Sequence, residues 1–144
     1  IIAAVTRFQG DAMPLCLMTT CWTEDERYFK PAAERLGVPY LAPDTWQDAI
    51  AELKASSLLT TNRLHGIIFA ALSGTPVLAV TNRQKTKAFA ADAGLPMSID
   101  SIAAVTPEIV AECLSRRVEI LDAMQRYLVV ARRKTFSPFS TAAQ

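Results

Sequence analysis

Apolar and polar positions along this chain fall into alternating short blocks. Residues 15–19, 38–41, 57–61 and 76–80 are compact apolar runs bounded by Gly, Pro, Asn, Asp or Ser, the pattern of short buried strands. Pro39 suits a strand start or an edge. Between these runs, residues 24–36, 45–55, 67–72 and 85–93 repeat apolar positions at helical spacing. Thr23 is the expected cap of the first helix and Gly37 its terminator; Asp44 or Thr45 caps the second, which is expected to bury Trp46, Ile50 and Leu53. The third is read as a buried helix closed by Ser73-Gly74, and the fourth ends at Gly94.

Residues 1–9 read as a helix end stopped by Gly10, and Ile99 falls in a last short strand. A long C-terminal helix follows, with Thr106 as cap, Pro107 in the first turn and Glu108 complementing the dipole. Its apolar stripe is Val110, Cys113, Leu114, Leu121, Met124 and Leu128. Short strands separated by helices predict an α/β domain, a Rossmann-like parallel sheet with helices on both faces.

Composition narrows the function classes. A chain of 144 residues with 51% hydrophobic and 20% charged residues suits one globular domain spanning 1–144. The formal net charge of +1 supplies no global field for nucleic acid. No apolar run reaches the roughly 20 residues of a membrane span. Ile1 begins a stretch without an initiator Met, a basic leader or a cleavage site, so the expectation is a chain starting partway through a longer protein. Cys16, Cys21 and Cys113 are scattered and read as buried free thiols, which suits a reducing cytoplasm; one histidine and no close Cys pair speak against a structural zinc site.

In parallel sheets of this kind ligands bind beyond the carboxyl ends of the strands. Four turns meet that description: 20–21, 42–44, 62–65 and 81–83. The third carries the chain's only histidine, in Asn62-Arg63-Leu64-His65-Gly66. A guanidinium and an imidazole there share a strand-to-helix turn with outward N–H groups and the positive end of a helix dipole. That combination suits an anionic ligand. Arg63 could instead pair structurally with Asp44 or Asp48.

Thr61-Asn62-Arg63-Leu64-His65-Gly66, then Ser73-Gly74-Thr75-Pro76-Val77-Leu78, then Lys85 with Phe89, then Gly94-Leu95-Pro96, form an ordered series. In order and spacing this series resembles the polysaccharide pyruvyl transferase family, most strongly over residues 57–96. The resemblance implies a two-domain GT-B-like enzyme, of which this chain is the C-terminal half and a missing N-terminal domain the other. It implies transfer of a pyruvyl group from phosphoenolpyruvate to a saccharide acceptor, lipid-linked or free, as a ketal on a cell-surface or exopolysaccharide. No cofactor is expected beyond that donor substrate. The implied setting is cytoplasmic, with the inner face of the membrane as a second option.

On this reading His65 is the general acid, or the group orienting it, and Arg63 the anion clamp. Asn62, Leu64, Gly66 and Lys85 are the expected substrate-binding residues, with backbone N–H groups of Gly66 and Ile67 contributing at the helix start. Two other readings stay open: the donor domain of a GT-B glycosyltransferase using a nucleotide sugar, and a non-catalytic sugar-binding domain.

Overall fold

The computed structural model describes residues 15–19 and 22–136, so the readings of residues 1–9 and of the 20–21 turn lie outside it. Strands β1 (Leu17–Met18) and β2 (Tyr40–Leu41) flank helix α1 (Trp22–Leu36). Helix α2 (Trp46–Lys54) leads to β3 (Leu59–Thr61), α3 (Leu64–Ser73), β4 (Val77–Val80), α4 (Gln84–Ala93) and β5 (Ser98–Ile99). A short 3-10 turn, Ile102–Ala104, precedes α5 (Pro107–Ser115) and α6 (Arg117–Phe136). All strand pairing is parallel, and helices connect the strands, as expected for an α/β domain.

The described strands form two sheets rather than one. β1 pairs with β2, and β4 lies between β3 and β5. With two residues each, β1 and β2 offer few ladder bonds to a third strand. They carry a small core of their own, Leu17 against Ala32 and Ala33 of α1. The main core is built around β4, whose four residues are all buried and therefore covered on both faces. Ile67 and Ala70 of α3, Phe89 of α4, Val110 and Cys113 of α5, and Ile120 and Met124 of α6 close over it. β3, at the edge of its sheet, is only half-buried along its length, where a fully buried strand is expected from the apolar run.

The helix ends follow local chemistry closely. Thr45 caps α2 through a reciprocal capping box with Asp48, and Thr106 caps α5 by accepting from the Ile109 N–H. Gly74 and Gly94 end α3 and α4 at φ 76° and 61°, a region other residues enter only at a cost. Several expectations need correction. α1 begins at Trp22, so Thr23 lies inside the helix rather than ahead of it. Trp46 is 55% exposed, and Ala49 joins Leu53 on the buried stripe of α2. It is the first helical residue, and its Cα–Cβ bond leans toward the N-terminus, past the packed part of the helix.

The α3 segment is buried on one face only, with Leu72 exposed. Finally, the long C-terminal helix is broken at Arg116, whose guanidinium donates to the Pro96 carbonyl at 3.0 Å and to Glu119 at 2.8 Å. After the break Ile120, Ala123 and Met124 are buried, and Tyr127 meets the Phe89 ring edge-on at 4.6 Å. Cys113 is buried as expected, whereas Cys16, just ahead of β1, is exposed because successive side chains alternate and Leu17 takes the inner face.

Candidate functional site

The turn between β3 and α3 is assembled by Thr61. Its hydroxyl accepts from the Arg63 N–H at 3.1 Å, a side-chain bond spanning two residues that turns the chain sharply off the strand. Arg63 then sits in extended conformation (φ −101°, ψ 124°) as the N-cap of α3, and its carbonyl accepts the first helical bond from the Ile67 N–H at 3.2 Å. The Ile67 N–H is therefore committed to the helix and does not serve a ligand, contrary to expectation. The first-turn N–H groups of Leu64, His65 and Gly66 meet no carbonyl within the helix.

Each side chain of the turn has a distinct place. His65 is exposed at the second helical position, and Arg63 is half-buried. Leu64 packs its side chain against the main core, leaving its N–H as what it can present to a ligand. Gly66 is buried against the strand it follows: a β-carbon there would stand 3.1 Å from Thr61 Oγ1 and 3.3 Å from its Cγ2. Its missing side chain lets the start of α3 sit down on β3.

The turn after β4 lies alongside. Asn62 Nδ2 donates to Asn82 Oδ1 at 3.4 Å, and the buried Thr86 hydroxyl donates to the Asn62 carbonyl at 3.1 Å. Arg83 is the N-cap of α4, again extended, and Lys85 is exposed in the first turn of that helix. Farther along the same edge, Thr81 Oγ1 donates to Asp100 Oδ1 at 3.0 Å.

The two helices that start here differ from α2 and α5. α3 and α4 begin on arginines that make no side-chain capping bond, and neither has an acidic residue in its first turn. α2 and α5 have threonine caps with Asp48 and Glu108 in their first turns. A basic residue at a helix N-terminus opposes the dipole, so this arrangement suits a negatively charged ligand better than it suits the isolated helices.

The structure thus brings Asn62, Arg63, Leu64, His65 and Gly66 together in one turn and sets Lys85 on its neighbour. Asn82 and Arg83, from the expected 81–83 turn, complete this edge together with Thr86, which was not expected there. For Thr86 the available signal was a polar residue in an otherwise buried helical position. His65, Asn82, Arg83 and Lys85 are exposed along this edge. Two shallow hollows lie away from it, one on α6 around Asp122 and Val129, the other around Lys54, Ser57, Thr75 and Arg117 at the amino end of β3 and β4. Among the described residues no group of three His, Cys, Asp or Glu is placed to hold a metal ion, and no helix is long and apolar enough to cross a membrane.

No curated protein and no solved structure matches the chain. One family model does, over a segment that opens before β1 and closes on the first residue of α4. It takes in the Arg63–Gly66 turn and the Gly74-Thr75-Pro76-Val77 entry to β4, and stops one residue before Lys85. That family implies a transferase and a saccharide acceptor. Residues 15–84 match the polysaccharide pyruvyl transferase family, a segment that holds the first two blocks of the motif series read from the sequence and leaves Lys85, Phe89 and Gly94-Leu95-Pro96 outside it.

Proposed function

We propose that this domain is the C-terminal, GT-B-like half of an enzyme that moves a pyruvyl group from phosphoenolpyruvate onto a sugar of a cell-surface or secreted polysaccharide. The observation that carries the reading is the coincidence of two facts: the family match covers Arg63 and His65, and this turn, with His65 exposed, follows the carboxyl end of a strand in a parallel sheet.

Ketal formation from an enol phosphate adds a proton to the methylene carbon, which leaves an oxocarbenium-like centre at C2. A sugar hydroxyl attacks that centre and loses its proton. The C2–O bond to phosphate breaks, and a second hydroxyl closes the ketal. One hydroxyl proton is thus matched by the new methyl hydrogen and the other leaves on inorganic phosphate. His65, exposed and carried on the first turn of α3, serves as the acid or orients it. Arg63 offers a planar fork to a carboxylate or phosphate, and the N–H groups of Leu64, His65 and Gly66 extend that anion site. Lys85 contributes a second cation from the adjacent helix.

The experiment is a transfer assay on the full-length protein with phosphoenolpyruvate and a candidate saccharide acceptor. His65→Gln is expected to lower kcat by on the order of 10²–10⁴, the usual contribution of a positioned acid. A protein that binds a nucleotide sugar and ignores phosphoenolpyruvate would transfer the reading to glycosyltransferases. Acceptor binding without turnover would make it a sugar-binding domain.

A further inference from the structure

Thr86 is buried in the first turn of α4, and its hydroxyl reaches back across 24 positions of sequence to the Asn62 carbonyl. The donor is the residue after Lys85, and the acceptor is the residue before Arg63. The bond is not needed to register the strands, because β3 and β4 are already paired from Leu59–Val77 to Thr61–Ala79. Nor is it needed to build either turn. Thr61 holds the first through the Arg63 N–H, and the Arg83 carbonyl starts the second by accepting from the Lys87 N–H at 2.9 Å. What it adds is a tie between the two turns, reinforced by the longer Asn62–Asn82 contact at 3.4 Å. Thr75, buried at the entry to β4, binds the Leu53 carbonyl at 2.6 Å, far from this edge.

We propose that Thr86 is a positioning residue: it locks the Asn62–His65 turn and the Lys85-bearing start of α4 into one frame, so that their cations act together on a single ligand with two anionic groups. This rests on the proposed donor, whose carboxylate and phosphate are such a pair. Two cations on independently moving turns bind a dianion little better than either alone, because each must be ordered separately. When their separation is fixed in advance, the second contact forms at high effective concentration. Thr86 sets that separation without touching the ligand.

The test compares the wild-type chain with Thr86→Val, which removes the donor at nearly constant volume, and Thr86→Ser, which keeps it. Affinities for phosphoenolpyruvate and for inorganic phosphate are measured by amide chemical-shift titration. A melting curve of each variant controls for folding, and Thr86→Ala replaces the valine variant if valine does not fold. The expected result is a loss of about tenfold or more for phosphoenolpyruvate in Thr86→Val, with inorganic phosphate, which engages one turn, changed by less than about threefold; a tenfold loss corresponds to about 1.4 kcal/mol. Thr86→Ser is expected to restore phosphoenolpyruvate binding to within about threefold of wild type.

Equal losses for both ligands would reduce Thr86 to a structural residue and overturn the proposal. Undiminished phosphoenolpyruvate binding in Thr86→Val would overturn it while leaving the functional reading intact. Failure of the wild-type chain to bind phosphoenolpyruvate would overturn this inference, while the functional reading is judged by the transfer assay on the full-length protein.

Discussion

Gly66→Ala offers a sharp probe of how the site turn is built. Alanine is the better helix former by about 1 kcal/mol in a helix interior, so an isolated α3 would gain from the change. In the folded chain the new methyl would face Thr61, with Oγ1 at 3.1 Å and Cγ2 at 3.3 Å. Both branches of that β-branched side chain lie inside comfortable contact, so rotation about χ1 exchanges one clash for the other. Overpacking of this kind costs about 1–3 kcal/mol. Set against the helix gain, the expected net is a loss of about 1 kcal/mol, or roughly 3–5 °C in Tm for a domain of this length.

The movement of Thr61 should also weaken its bond to the Arg63 N–H, seen as faster hydrogen exchange at that amide. Thr61→Ser removes Cγ2 and frees the hydroxyl to turn, so Gly66→Ala combined with Thr61→Ser should recover the loss. Denaturation of the four proteins closes a double-mutant cycle, with an expected coupling of about 1 kcal/mol. If Gly66→Ala proves stabilising and the two changes add to within about 0.3–0.5 kcal/mol, the proposed close approach of α3 to β3 is wrong.

Two further outcomes follow from the packing. Leu53→Ala, in the buried stripe of α2, is expected to cost about 2–5 kcal/mol in urea denaturation, whereas Trp46→Ala, on an exposed side chain, should stay within about 0.5 kcal/mol; the reverse order would refute the orientation of α2. Burial pushes the Cys113 thiol up from 9.0 to about 11, with Glu112 adding to the shift. Between these values the unfolded chain releases a proton that the folded chain keeps, so stability should fall as pH rises through that window. It should fall less steeply in Cys113→Ala, and identical slopes would contradict the assignment.

How much was legible in the sequence depended on the range of the interactions. Thr45, Thr106, Gly74 and Gly94 announce helix ends because capping is settled within a few residues. β4 was readable because a strand buried on both faces is apolar throughout. The break at Arg116 was not, since no glycine or proline marks it and the bond from its guanidinium to the Pro96 carbonyl spans twenty residues. Nor was the exposure of Trp46, which has the right spacing but lies beyond the packed part of its helix. The site divides in the same way. Asn62 to Gly66 stand together in the sequence as one turn, so the motif could be read directly. The 81–83 turn was placed on the same edge by the strand pattern, but the bonds of Asn82 and Thr86 to Asn62 depend on the parallel register of β3 and β4, which no local pattern states.

The most direct measurement of the central claim is an amide chemical-shift map of this domain titrated with phosphoenolpyruvate. The account predicts saturable shifts centred on Leu64, His65 and Gly66, extending to Lys85, and lost in Arg63→Ala while that variant retains its wild-type fold. Shifts gathered instead around Lys54, Ser57 and Arg117, at the opposite end of the sheet, would contradict it, as would saturation undiminished by loss of the Arg63 guanidinium.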